Sequence, residues 1–270
     1  MFGKISLMLP AVLTCASALM CPGCATNPIT GKQQFMLISP QQDIEIGRQY
    51  APEVEKQMGG KIPDPALQQY IDTVGRNVAR VSHTPDLDYH FVAVNDKSVN
   101  AVALPGGYVF ITRGMLENLQ TEAQLAAILA HETVHIVARH SSEAMSRQIG
   151  FEILLSAVMD EQTSQTLQTV AGLSRQLIEL GYSRDQEQQA DLGGIEYMVR
   201  AGYAPYAMVE TMQMLQNQHK VRPIVFLSTH PSPENRIAYL EEKIATAYYG
   251  STALRVAREE YQNNVLTCLR

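Results

Sequence analysis

The stretch TEAQLAAILAHETVHIVARH, residues 121–140, constrains this chain more than any other. Thr121 with Gln124 three residues on is the reciprocal cap that opens a helix, and no Gly or Pro interrupts the rest of the stretch. The spacing predicts one helix from 121 to about 147. Each helical residue turns about 100°, which sets His131 and His135 about 40° apart and one turn from each other. Two imidazoles so placed can share one tetrahedral zinc, and Glu132 between them projects beside it as a base rather than a ligand. The competing interpretation, a salt-bridged solvated face, fits poorly with so apolar a flank. His140 stands about half a circle from His131 on an unbroken helix, so it is excluded from the same metal.

A third ligand is offered by GYSRDQEQQADLGGIEYMVRAG. Ser183 and Gln186 make a second capping box, and Asp185 and Glu187 lie in its first turn. Glu187 and Asp191 are four apart and share a face. Glu187 suits a metal ligand, and Asp191 suits the acceptor for the free ring N–H of a ligating histidine. Acidic first-turn residues are equally ordinary helix chemistry, so both interpretations of Glu187 stand on the sequence alone. The set His131, His135 and Glu187 with water in the fourth position fits catalysis, whereas a structural zinc uses four protein ligands.

The remaining elements surround this helix pair. Ser39, Pro40 and Gln42 open a helix running to about Met58, and Asp64 and Pro65 open a second. Between 88 and 112 the period changes to short β-branched and aromatic runs, YHFVAV, VNAVAL and YVFIT, divided by turn residues. They predict a small antiparallel sheet. Further helices are expected to about 180, over 184–201, over 205–219 and over 233–247. The class is α+β, mainly helical.

The N-terminus has another logic. One cation in MFGK precedes the apolar ISLMLPAVLTCASALM and then CPGCATNP, the layout of a secretory signal peptide at 1–23. The run is too short and too interrupted by Pro10 to be a membrane span. Gly23 before Cys24 suits cleavage by a lipoprotein signal peptidase, so Cys24 is expected to carry a lipid, although Cys21 replaces the usual leucine of that site. Residues 24–38 then form a lipidated lead, and 39–270 a single domain. CPGC also has the form of a dithiol redox motif, but it abuts the signal segment instead of opening a helix after a strand. A net charge of −6 without a basic run gives no footprint for nucleic acid.

Taken in order, GCATNPITGKQQ, NAVALPGGYVFITRGML, HETVHIVARH, SRDQEQQAD and THPSPENRI resemble the HtpX and CAAX prenyl protease family of zinc metalloendopeptidases, in its soluble periplasmic lipoprotein branch. The resemblance covers nearly the whole chain after the signal segment. It implies a zincin-like, gluzincin-type domain holding one Zn2+ on His131, His135 and Glu187, with Glu132 catalytic. It implies that the strand Ala101, Val102, Ala103 and Leu104 is an edge against which substrate docks, although a plain hairpin arm accounts for the same residues. It implies that His230 stabilises an oxyanion or closes over the zinc as an inhibitory ligand, with Arg236 organising that pocket. The expected partners are unfolded or misfolded envelope polypeptides and, through the lipid, a membrane surface. The expected location is the periplasm, at the outer membrane, in protein quality control. The alternative is a latent or non-proteolytic zinc-containing chaperone.

Overall fold

The computed structural model describes residues 24–156, 170–221, 223–230, 236–248 and 254–270, with backbone alone at 151–156 and 170–173. Residues 1–23, where a signal peptide is expected and which hold Cys15 and Cys21, and residues 231–235 lie outside them. A lead ribbon pairs β1 (Cys24–Thr26) with β2 (Gln33–Phe35) antiparallel. Helices α1 (Pro40–Gln57) and α2 (Pro65–Ala79) come next, opened by Ser39 and Asp64 as their sequence signatures require.

The sheet consists of β3 (His90–Val94), β4 (Ala101–Leu104) and β5 (Tyr108–Thr112) in the order β3-β5-β4. The strands stand where the sequence places them, but the sheet is mixed. β4 and β5 form the expected antiparallel hairpin, whereas β3 pairs parallel to β5 along its other side. The side on which the hairpin adds has a physical cause in α2. Gln68 Nε2 donates to the Ala93 carbonyl at 2.8 Å, and the Ala93 N–H donates to Gln68 Oε1 at 3.0 Å. One side-chain amide thus acts as a strand along the outer edge of β3, so β3 is spoken for there and the hairpin must add on the inner side. No strand pairs with the outer edge of β4 among the described residues.

A short helix α3 (Arg113–Asn118) leads into α4 (Glu122–Val137), which is buried at every position and so forms the centre of the molecule. α5 (His140–Ser156), α6 (Val170–Ile178), α7 (Arg184–Arg200), α8 (Tyr206–Val221), α9 (Phe226–Thr229), α10 (Arg236–Ala247), α11 (Arg258–Tyr261) and a π-helical turn Gln262–Leu266 complete the chain. α7 lies tightly on α4 because it presents glycines there: a Cβ at Gly194 would stand 2.9 Å from Met208 Cε and 3.4 Å from the His131 backbone nitrogen.

The single helix expected from 121 to 147 is broken. α4 ends at Val137, Arg139 adopts a left-handed conformation at φ 57°, and α5 begins at His140. A non-glycine residue holds such a φ only when its surroundings over-determine it. Here they do: Arg139 Nε donates to Asp43 Oδ2 at 2.5 Å and Nη2 donates to the Ile38 carbonyl at 2.7 Å. Ser142 donates to the other oxygen of Asp43.

Candidate metal centre

α4 and α7 cross so that His131, Glu132 and His135 face Glu187 and Asp191, all of them buried. His131 Nε2 and His135 Nε2 are 3.1 Å apart, and His135 Nε2 is 3.4 Å from Glu187 Oε1. His230, at the end of α9, brings its Nδ1 to 3.3 Å from His131 Nε2 and 3.0 Å from Glu187 Oε1. One donor atom from each of these four residues lies within 4.8 Å of the others. Four donors about 2.0–2.1 Å from a tetrahedral zinc stand about 3.3 Å from one another, so these spacings and this N3O donor set fit that ion.

The outer contacts fix the ligands. Asp191 Oδ1 accepts from His131 Nδ1 at 3.1 Å, which leaves the Nε2 lone pair facing the centre. Arg236 and Tyr239, both on α10, donate to Asp191, and Arg236 Nη1 lies 3.0 Å from Glu187 Oε2. Burial alone would raise the Glu187 carboxyl, but the charges of His230 and His131 and the hydrogen bond from His230 hold it well below the usual carboxylate range. Asp191 is likewise lowered against its own burial by Arg236 and His131. Tyr182 stacks on His135 at 3.8 Å between centroids, and Phe226 stacks on His230 at 4.3 Å.

Glu132 differs from its neighbours. It is fully buried, and neither carboxylate oxygen has a hydrogen-bond partner among the described residues. Desolvation raises its pKa above the usual range, against the lowering charges of His230 and His131. An ionised carboxylate so placed is suited to take a proton from a small polar molecule bound between it and the donors of His131, His135 and Glu187.

All the candidate residues on α4 and α7, with His230 and Arg236, are therefore brought together. His140 is outside the group of four, as the spacing required, but the unbroken helix behind that expectation does not exist. The turn at Arg139 carries His140 back onto the centre, where its Nδ1 lies 2.8 Å from His135 Nδ1. Burial pushes the pKa of His140 down to about 4, so it is neutral at pH 7. Tyr182, Phe226 and Tyr239 carry no role in the sequence reading, and His140 is excluded there as a ligand without its contact to His135 being foreseen. Of these only His140 left a signal, its place at the end of the histidine-rich stretch. Ala101–Leu104 is indeed an edge strand, with buried side chains. Leu104 and Pro105 line a small cavity together with His135 and Arg139. Cys24 is exposed in β1.

Such a centre, two histidines one turn apart on a buried helix and a glutamate from a second helix beside a buried carboxylate that makes no hydrogen bond among the described residues, defines the HExxH class of metallopeptidase. The model of Peptidase family M48 matches residues 65–244, and the chain belongs to that family, whose peptidases use zinc. It is 30% identical over 229 residues to the Beta-barrel assembly-enhancing protease of Escherichia coli, covering 79% of this chain and 46% of that one. It is 32% identical over 235 residues to the Mitochondrial metalloendopeptidase OMA1 of Schizosaccharomyces pombe, covering 82% of this chain and 66% of that one. The Saccharomyces cerevisiae OMA1 is 26% identical over 239 residues, covering 82% of this chain and 69% of that one. The chain thus spans about half the length of the bacterial relatives it matches.

Proposed function

We propose that this chain is a zinc-dependent endopeptidase with His131, His135 and Glu187 as metal ligands and Glu132 as the catalytic base. The observation that carries this proposal is the meeting of His131, His135 and Glu187 beside the buried Glu132, whose oxygens make no hydrogen bond among the described residues and lie 3.7 Å from His230 at the nearest ion-pair contact. Held by these three residues, zinc would supply Lewis acidity to a water molecule and to the scissile carbonyl. Glu132 takes the proton of that water and returns it to the leaving amine. Asp191 orients His131, and Arg236 holds both Asp191 and Glu187 in place.

Substrates are extended polypeptides that add to the outer edge of β4 by main-chain hydrogen bonds, a mode that makes little demand on sequence. That the outer edge of β3 is already taken by Gln68 supports β4 as the available one. The signal layout at 1–23, the lead from Cys24 and the likeness to a bacterial protease named for β-barrel assembly support an exported enzyme. We place it in the periplasm, held by a lipid on Cys24 at the outer membrane, where it removes misfolded envelope proteins. Among the described residues no helix is long and apolar enough to cross a membrane.

A second form of the enzyme is favoured by His230. Its Nδ1 lies 3.3 Å from His131 Nε2 and 3.0 Å from Glu187 Oε1, the spacing of donors around one ion, so it can complete a four-donor set that leaves no open position. In that arrangement the chain is latent, and displacement of His230 activates it.

The decisive experiment is digestion of casein by the purified chain with one equivalent of zinc, beside Glu132→Gln. The expected result is cleavage that disappears in the variant and in chelator while the variant keeps its zinc. Undiminished cleavage by Glu132→Gln would exclude the mechanism. If neither protein cuts, cleavage by His230→Ala identifies latency, and no cleavage by it refutes the peptidase.

A further inference from the structure

The proton on His135 is assigned by residues of the lead. Asn27 closes its own turn: Oδ1 accepts from the backbone N–H of Ile29 at 2.8 Å and of Thr30 at 3.2 Å. With its oxygen so anchored, Asn27 must present Nδ2 to its other neighbours. It donates to Gln189 Oε1 at 2.9 Å and to Gln34 Oε1 at 3.1 Å. The far end is anchored in the same way, because Gln34 Nε2 donates to the Ala138 carbonyl at 3.0 Å. Neither amide can turn over without facing like against like.

The consequences run inward to the metal centre. Gln189 Oε1 also lies 3.3 Å from His140 Nε2. An amide oxygen only accepts, so that nitrogen carries the proton of the neutral ring, and His140 Nδ1 is a lone pair. At 2.8 Å from it, His135 Nδ1 must be the donor. The proton of His135 is then on Nδ1, and its Nε2 lone pair faces His131 Nε2 and Glu187 Oε1. Asp191 does the same for His131 from the opposite side.

We propose that Asn27, Gln189 and His140 are positioning residues of the metal centre, which fix His135 in its Nδ1–H tautomer and reserve Nε2 for the ion. The ribbon that begins at Cys24 is thereby part of the centre as well as a connection to whatever precedes it. This rests on His131, His135 and Glu187 being the metal ligands, and the test separates the two ideas.

Zinc affinity is measured by chelator competition in the full chain, and the tautomer of His135 by its ring nitrogen-15 shifts in the zinc-free protein. Outer-shell partners of ligating histidines typically carry about 10–100-fold in affinity, and that loss is expected for His140→Phe. Gln189→Leu and Asn27→Asp are expected to lose several-fold each and to mix the His135 tautomers. The aspartate keeps the acceptor of the Asn27 turn but turns an oxygen toward Gln189. Gln189→Glu keeps the acceptor facing His140 and restores the wild-type affinity. Gln189 is only half-buried, so its pair of variants decides the matter even if His140→Phe does not fold. Wild-type affinity and a single Nδ1–H tautomer in both Gln189→Leu and Asn27→Asp would overturn the proposal alone. Zinc binding undiminished in His131→Ala would overturn the ligand assignment, and the proposal with it.

Discussion

Arg236 donates from Nε and Nη2 to the two carboxylate oxygens of Asp191, each at 2.6 Å, and both residues are buried. The pair joins α10 to α7 directly behind His131. Removing one partner of a buried pair leaves an uncompensated charge, at a cost of about 3–5 kcal/mol. Arg236→Leu strands both Asp191 and Glu187, so urea unfolding of the metal-free protein is expected to show a loss of that order. An unchanged midpoint would mean that the pair contributes nothing.

Asp191→Asn keeps the shape but weakens the acceptor for His131 Nδ1 and permits the wrong tautomer. Zinc affinity is expected to fall by about 10–100-fold, as measured by competition with a chelator. Equal affinity would rule out the orienting role of Asp191.

The buried histidines make the metal-free fold acid-sensitive. Burial lowers His140 to about 4 from an ordinary 6.5, and lowers His135 well below its ordinary value. Between those pH values the unfolded chain takes up a proton at His140 that the folded chain refuses. Stability therefore falls as pH drops from about 6.5 to 4, by at most about 3 kcal/mol for His140. His230, raised by Glu187 and Glu132 despite its burial, acts in the opposite sense, adding stability that is lost as pH rises. Unfolding at a series of pH values should show a shallower acid limb for His140→Phe than for the wild type. Parallel limbs would contradict the assignment.

Zinc is expected to stabilise the fold by mass action, by about 4 kcal/mol when free zinc is about a thousand times Kd. Chelator should lower the Tm of the wild type, and readded zinc should restore it. In His131→Ala neither addition should shift Tm; a shift equal to the wild type's would place the ion elsewhere.

Gly47 of α1 sits against the turn between β4 and β5. A Cβ there would stand 2.2 Å from the Pro105 carbonyl oxygen and 2.9 Å from the Tyr108 ring. Gly47→Ala forces backbone apart at the end of the proposed docking edge, and overpacking of this kind costs about 1–3 kcal/mol. Differential scanning calorimetry checks it, and a Tm equal to the wild type's would show that the turn yields freely.

The parts of the centre legible in the sequence are those set by local spacing. His131, Glu132 and His135 depend only on one turn of α4, and Glu187 with Asp191 on one turn of α7. The caps at Ser39, Asp64, Thr121 and Ser183 appear in the structure because a side chain a few residues from its donor needs nothing else, although the box at Thr121 is not reciprocal: Gln124 Oε1 accepts from the Gln120 N–H instead. The approach of His230 was available only through resemblance, since 99 residues separate it from His131.

By itself, then, the sequence determined the longer helices, most of their caps, the three strands of the main sheet and the two faces that meet at the candidate centre, because each is fixed by neighbours within one or two turns; the short helices and the β1–β2 ribbon left no such signal. Tertiary structure alone decided the break at Arg139, the edge of β3 left for the hairpin and the relay from Asn27 to His135. These depend on Asp43 reaching Arg139 across 96 residues, Gln68 reaching Ala93 across 25 and Asn27 reaching Gln189 across 162. Helical periodicity favours continuing α4 through Arg139, and its hydrogen bonds to Asp43 and Ile38, remote in the chain, outweigh it. No pattern along the chain records which remote partner will satisfy a polar group; only burial, which makes an unsatisfied one costly, selects it.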